Sequence, residues 1–227
     1  MQKYIVIADD LTGSNATCSL LKKIGLRAAS ILKLQNGMRY DTDVISYSTG
    51  SRGLNKEEAY KRVSEVIKIL KDKNVLVYNK RIDSTLRGNI GAEINAMLDN
   101  LENDRIAVVV PAYPDSKRIV VNKTMLVNGV LLENSDAGKD PKTPIKTSCV
   151  ETLIQKDCKY SSTYFELADI EQPIEKLIKK IQKSTEKSRV LIFDAVNNED
   201  IIKISRAIIQ SNINIITVDP GPFTLYF

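Results

Sequence analysis

The chain has 227 residues, 43% apolar and 27% charged, an ordinary globular composition with length enough for a sizeable core. Its 33 basic and 28 acidic residues are interspersed, leaving a formal charge of +5; Trp is missing and Phe is rare, so no stacking platform for nucleic acid is expected. Histidine does not occur, which excludes Ser-His-Asp triads, Cys-His pairs, HExxH zinc sites and facial iron triads, and leaves carboxylates, Lys, Arg, hydroxyls and backbone amides to carry any chemistry.

In chain order, short Val- and Ile-rich runs predict strands at 4–8, 27–32, 43–48, 75–79, 105–110, 189–193 and 213–218, each read as buried on both faces. Helical periodicity fills the intervals. Residues 15–24 place Ala16, Leu20, Leu21 and Ile24 on one side, and 55–70 do so with Ala59, Val63, Val66, Ile67 and Leu70. Further helices are expected at 88–101, 148–156, 173–184 and 198–210. This alternation predicts an α/β fold, a layered parallel-sheet domain with helices on both faces. The pattern breaks over 111–147, where Pro111, Pro114, Pro141 and Pro144 bracket a β-hairpin excursion, RIVVN with TMLVNGVLL, and an irregular loop, NSDAGKDPKTP. One domain over 1–227 is expected, with a sub-boundary near 145. The excursion offers a surface through which two subunits could pair as a homodimer.

Cys18, Cys149 and Cys158 are too sparse and too widely spaced for a metal knuckle, so a reducing compartment and no metal are expected. The N-terminus enters a strand without a signal-like apolar region, and no apolar run has membrane-spanning length. A soluble, cytoplasmic protein with no membrane partner is the expectation. The last strand leads into DPGP, a loop that ordinarily enters another element, so the sequence is expected to be a piece of a longer one.

Four segments carry candidate chemistry. In IADDLTGSNAT a buried strand ends at Asp9 and Asp10, where parallel sheets place their ligand crevice; one carboxylate should face that crevice and the other orient the turn or cap the following helix. NKRIDSTLRGNIGAEI offers Lys80, Arg81 and Arg87 as cations, Ser84 and Thr85 as hydroxyls, and a helix opening at Gly88 and Asn89, a cradle suited to a carboxylate-bearing substrate. YSTGSR adds Ser48, Thr49, Ser51 and Arg52, and VVVPAYPDSKRIVVN adds Arg118. Neither Walker A nor GxGxxG occurs. A Mg-dependent phosphatase is the lesser alternative, because the adjacent acids Asp9 and Asp10 lack the one-residue spacing that the haloacid dehalogenase motif requires.

IADDLTG, STGSR, KRIDSTLRGNIGAE, PAYPDSKR with LVNGVLL, DPKTP, FDAVNNED and VDPGPF, in that order, resemble the four-carbon acid sugar kinases, chiefly through KRIDSTLRGNIGAE. The resemblance implies the N-terminal, substrate-binding domain of an enzyme that uses ATP and Mg²⁺ to phosphorylate threonate, erythronate or a 3-oxo-tetronate at its terminal hydroxyl. It implies Asp10 as the catalytic carboxylate, Asp9 beside it, and Arg52, Lys80, Asp83, Ser84 and Arg87 at the substrate. It further implies that the nucleotide site belongs to a C-terminal domain, so that this chain by itself is inactive and binds no cofactor tightly. A stand-alone sugar-acid binding module is the alternative from another class. Family chains commonly carry Gly where this chain reads Asn122-Lys123, so a reshaped hairpin is expected there.

Overall fold

The computed structural model describes residues 3–35, 37 and 40–227. Along them the chain runs β1 (Tyr4–Ala8), α1 (Leu11–Lys23), β2 (Ala28–Ile31), β3 (Val44–Ser48), α2 (Lys56–Leu70), β4 (Val77–Arg81), α3 (Ile90–Asn100) and β5 (Ile106–Val109). Three short strands follow, β6 (Arg118–Val121), β7 (Thr124–Val127) and β8 (Val130–Leu131). The remainder is α4 (Val150–Gln155), β9 (Ser162–Phe165), α5 (Leu167–Glu171), α6 (Ile174–Thr185), β10 (Val190–Phe193), α7 (Asn198–Ser211) and β11 (Ile215–Asp219).

Eight strands form one sheet in the order β2-β3-β1-β4-β11-β5-β10-β9, parallel at each pairing. Parallel strands need crossovers, which the helices supply. β1, β4, β5 and β10 are buried at every position, as strands covered on both faces must be, and the layered α/β fold is the one expected. α2 packs on α3, and α6 on α7.

Four local readings are corrected. β2 is a half-buried edge strand because only β3 flanks it. β9, at the opposite edge, has the mixed sequence STYF and gave no apolar run to find. α1 starts at Leu11 and buries Gly13, Ser14, Thr17, Cys18 and Leu21, while Ala16 and Ile24 face solvent. Its buried side is largely polar because Ser14 Oγ meets Ser46 Oγ at 2.7 Å and Ser30 Oγ at 3.2 Å, so apolar periodicity found Leu21 and missed the rest of the buried face. β4 runs on through Lys80 and Arg81, two residues that charge alone had assigned to a loop.

β6, β7 and β8 form a separate antiparallel sheet, the expected excursion. Its turns are two residues each, Asn122-Lys123 and Asn128-Gly129, with all four residues in the left-handed region (φ 48°, 64°, 52° and 81°), as tight hairpins require. Val120 exchanges backbone hydrogen bonds with Ala195, which ties this small sheet to the exit of β10. Among the described residues no helix is long and apolar enough to cross a membrane.

Candidate functional site

The register of the central strands decides which side chains can meet. Ala8 of β1 pairs with Ser48 of β3 on one side and Arg81 of β4 on the other, so all three chain exits lie abreast at the carboxyl edge. The Asp9 carbonyl accepts from Ser51 N (2.9 Å) and Arg52 N (3.3 Å), which folds the turn after β3 back over β1. Arg52 then grips the buried Asp9 carboxylate from two sides, Nε to Oδ2 at 2.6 Å and Nη2 to Oδ1 at 3.0 Å.

The same Nη2 stands 2.8 Å from Asp10 Oδ1 and 3.6 Å from Asp83 Oδ1. Asp10 Oδ1 also accepts from Gly13 N (2.8 Å), capping α1. Both adjacent acids therefore meet one guanidinium. Asp10 is the more accessible, its side chain 27% exposed against 2% for Asp9, and among the described residues no donor engages its Oδ2. Arg81 runs beneath, Nη1 at 3.8 Å from Asp10 Oδ1. A Cβ at Gly13 would fall 2.1 Å from Arg81 Nη1 and 2.7 Å from Asp10 Oδ1, so glycine is what lets the buried guanidinium pass under α1.

Asp83 stands just beyond β4. Arg87 holds it through Nε–Oδ2 (2.7 Å) and Nη2–Oδ1 (3.1 Å), and Thr85 Oγ1 donates at 2.6 Å. Burial alone would raise the Asp83 pKa; the hydrogen bonds from Arg87 and Thr85 and the charges of Arg52 and Arg87 outweigh it and bring the value down to about 2. Arg87 also reaches Asp140 Oδ2 with Nη1 at 2.9 Å. The Asp140 carboxylate is held well below the usual range, first by the backbone N–H groups of Thr143 and Lys142 and then by Arg87. Arg87 thus joins the turn after β4 to the 140–147 loop.

Lys80 is fully buried on β4. Its Nζ meets Glu93 Oε2 at 2.9 Å and donates to the carbonyls of Arg81 (2.9 Å) and Ile7 (3.2 Å). Ser51 Oγ donates to the other Glu93 oxygen and hydrogen-bonds Thr49 Oγ1 at 2.6 Å. Burial pushes the Glu93 carboxyl pKa up. A ligand could reach Lys80 only by displacing this pair, which lies under the turn that carries Arg52. Ser84 is half-buried beside Asp83. Arg118 opens β6, its Nη1 donating to the Ser116 carbonyl, and no hydrogen bond or ion pair among the described residues joins it to the Asp9, Asp10 and Asp83 group.

Some residues that shape this edge escaped the sequence reading. Asp140 lies in the DPKTP segment, where an Asp before Pro signals only a turn. Asp219, at the end of β11, is fully buried; its Oδ2 accepts from Gly221 N (2.8 Å), Phe223 N (2.9 Å) and Thr224 N (3.2 Å), and its Oδ1 from Asn79 Nδ2 (2.8 Å) and Thr224 Oγ1 (2.5 Å). That carboxylate shapes the DPGP turn.

Residues 4–227 match the family model described as the sugar-binding N-terminal domain. The chain belongs to this family. It is 41% identical over 231 residues to a D-erythronate kinase of Heliobacterium modesticaldum, covering 99% of this chain and 52% of the relative. It is 33% identical over 208 residues to a D-threonate kinase of Salmonella typhimurium, covering 90% and 48%. The fold is also that of a crystal structure from Bordetella bronchiseptica, a domain of unknown function with bound citrate described as a domain-swapped dimer; TM-score 0.82, identity 26%, coverage 99% of this chain and 55% of that one. The chain spans about half the length of the curated relatives it matches.

Proposed function

We propose that the chain is the acid-sugar half of an ATP-dependent kinase that phosphorylates a four-carbon sugar acid, erythronate or threonate being the first candidates, at its terminal hydroxyl. The observation that carries the reading is Asp10 at the carboxyl edge of the sheet, with one oxygen fixed by Arg52 and Gly13 N and the other unclaimed. That second oxygen is placed to accept the proton of a substrate hydroxyl, or to orient it, as phosphoryl transfer requires. Arg52, Asp9, Asp83 and Arg87 hold this carboxylate in register, and the buried Lys80–Glu93 pair supports them from below.

Bound MgATP would supply the phosphoryl group and neutralise its charge; in this reading it occupies the half of the relatives that this chain does not span. Asp9 and Asp83 do not suit Mg²⁺ as ligands, because each is gripped on both oxygens by a guanidinium; of the acids that meet Arg52, Asp10 alone keeps an oxygen free of a donor among the described residues. The phosphatase alternative, which rests on Asp9 and Asp10, is disfavoured by the Arg52 guanidinium that occupies both oxygens of Asp9.

The test has two arms. Thermal shift of this chain with D-erythronate, D-threonate and the neutral polyol erythritol should show stabilisation by an acid and not by the polyol. Phosphorylation by the enzyme containing this domain should vanish in Asp10→Asn while acid binding persists. Retained turnover in that variant would remove Asp10 from the chemistry.

A further inference from the structure

Resting on that reading, we propose that the substrate's carboxylate is received by a cationic subsite formed by Lys142, Lys146 and Lys156, in the cavity between the 140–147 loop, α4 and the start of α3. The acid group described above is a poor receptor for an anion. Its carboxylates, Asp9, Asp10, Asp83 and Asp140, outnumber the guanidiniums of Arg52, Arg81 and Arg87, and each guanidinium already faces an acid. An incoming carboxylate would have to break one of these pairs and would then meet the displaced acid.

The adjoining cavity, of about 410 Å³, has the opposite character. Arg52 and Gly88 form the wall that it shares with the acid group. Gly88 has φ +99°, and a Cβ there would sit 3.4 Å from Asp9 Oδ2, so the backbone at this wall runs directly against the Asp9–Arg52 pair. Lys142, Lys146 and Lys156 line the other sides, and among the described residues none of them is in an ion pair. Lysines of neighbouring segments are paired: Lys56 with Asp157, Lys123 with Glu151 and Lys159 with Asp99.

The walls are fixed. Asp140 is locked to Arg87, Ile145 is buried with its N–H on the Ala137 carbonyl (3.0 Å), and the end of α4 lies so close to Gly91 that a Cβ there would be 2.2 Å from the Lys156 carbonyl. Asn89 makes no side-chain cap on the first turn of α3, and its Nδ2 donates to the carbonyls of Ser51 and Leu54. The dipole of α3 adds to the positive field at that wall. In this proposal an acid seated with its carboxylate among the lysines has its far end at Arg52, the residue of the cavity wall that is paired with Asp10. The lysines therefore set which end of the substrate reaches the phosphoryl donor.

The test is an amide-resolved NMR titration of this chain with D-erythronate, erythritol and inorganic phosphate, repeated on Lys142→Gln/Lys146→Gln/Lys156→Gln, on the single charge reversal Lys146→Glu, and on Lys56→Gln as a control outside the cavity. All the altered side chains are on exposed residues, and amide dispersion confirms that each variant is folded. The expected result is that erythronate shifts the amides of Gly88, Asn89 and Thr147, that the triple variant weakens it about ten-fold, that Lys146→Glu also weakens it, and that Lys56→Gln does not. Erythronate binding that the triple variant leaves unchanged overturns the subsite and leaves the kinase reading standing. A native chain that responds neither to erythronate here nor to D-threonate in the thermal-shift arm overturns both. Phosphate that displaces erythronate and is lost in the same triple variant overturns the assignment to a carboxylate.

Discussion

Asp83 joins the turn after β4 to both Arg52 and Arg87, and its titration measures how firmly they hold it. Its carboxyl titrates at 3.8 when unperturbed and at about 2 in the folded chain. A lowered folded value means that the unfolded chain binds the proton more readily; the stabilisation is therefore complete above 3.8 and disappears as pH falls toward 2. At 1.36 kcal/mol per unit, the shift corresponds to about 2 kcal/mol. The assay is urea unfolding of the native chain and of Asp83→Asn across the acid range, comparing their difference in stability so that titrations common to both cancel. That difference should be constant near neutrality and shrink by about 2 kcal/mol across the window set by the two pKa values. A difference that does not change with pH would mean that neither guanidinium holds Asp83 in solution, and the account of the site edge would fail with it.

Lys80→Met should destabilise the fold by about 3–5 kcal/mol by leaving Glu93 buried without its partner, and adding Glu93→Leu should recover much of the loss, a pattern that a double-mutant cycle in denaturant reads directly. Gly91→Ala forces a Cβ against the backbone carbonyl of Lys156 and should cost about 1–3 kcal/mol, with a lowered Tm as the readout. Asp219→Ala strands the N–H groups of Gly221, Phe223 and Thr224 in a buried turn and should cost about 3 kcal/mol or more, visible as a lower urea midpoint at unchanged slope.

The interior strands were legible because an unbroken Val and Ile run means the same thing wherever it occurs, and β1, β5 and β10 fell where those runs did. Of the two edge strands, β2 was found within the run at 27–32 although it is only half-buried, while β9 was missed because STYF carries no apolar run. Lys80 and Arg81 misled for a related reason. Charge signals solvent unless a partner is known, and Glu93, which makes Lys80 a core residue, lies on a different element. The convergence of Asp9, Asp10, Arg52, Asp83 and Arg87 followed from strand ends alone, since parallel strands in register deliver their exits to one edge. Their pairing with one another did not follow, because which guanidinium meets which acid depends on side-chain directions that spacing leaves free. Asp140 came from a loop whose motif was plain in the sequence and whose reach to Arg87 was not.

β11, the last strand of the chain, lies between β4 and β5 in the middle of the sheet. During synthesis those two strands are made long before their shared neighbour, and each waits with a bare row of amides and carbonyls. The ordering entropy of closing the sheet is met late, through contacts distant in sequence, which slows folding. A ribosome stalled before Ile215 would hold an open, sticky intermediate suited to capture by a chaperone.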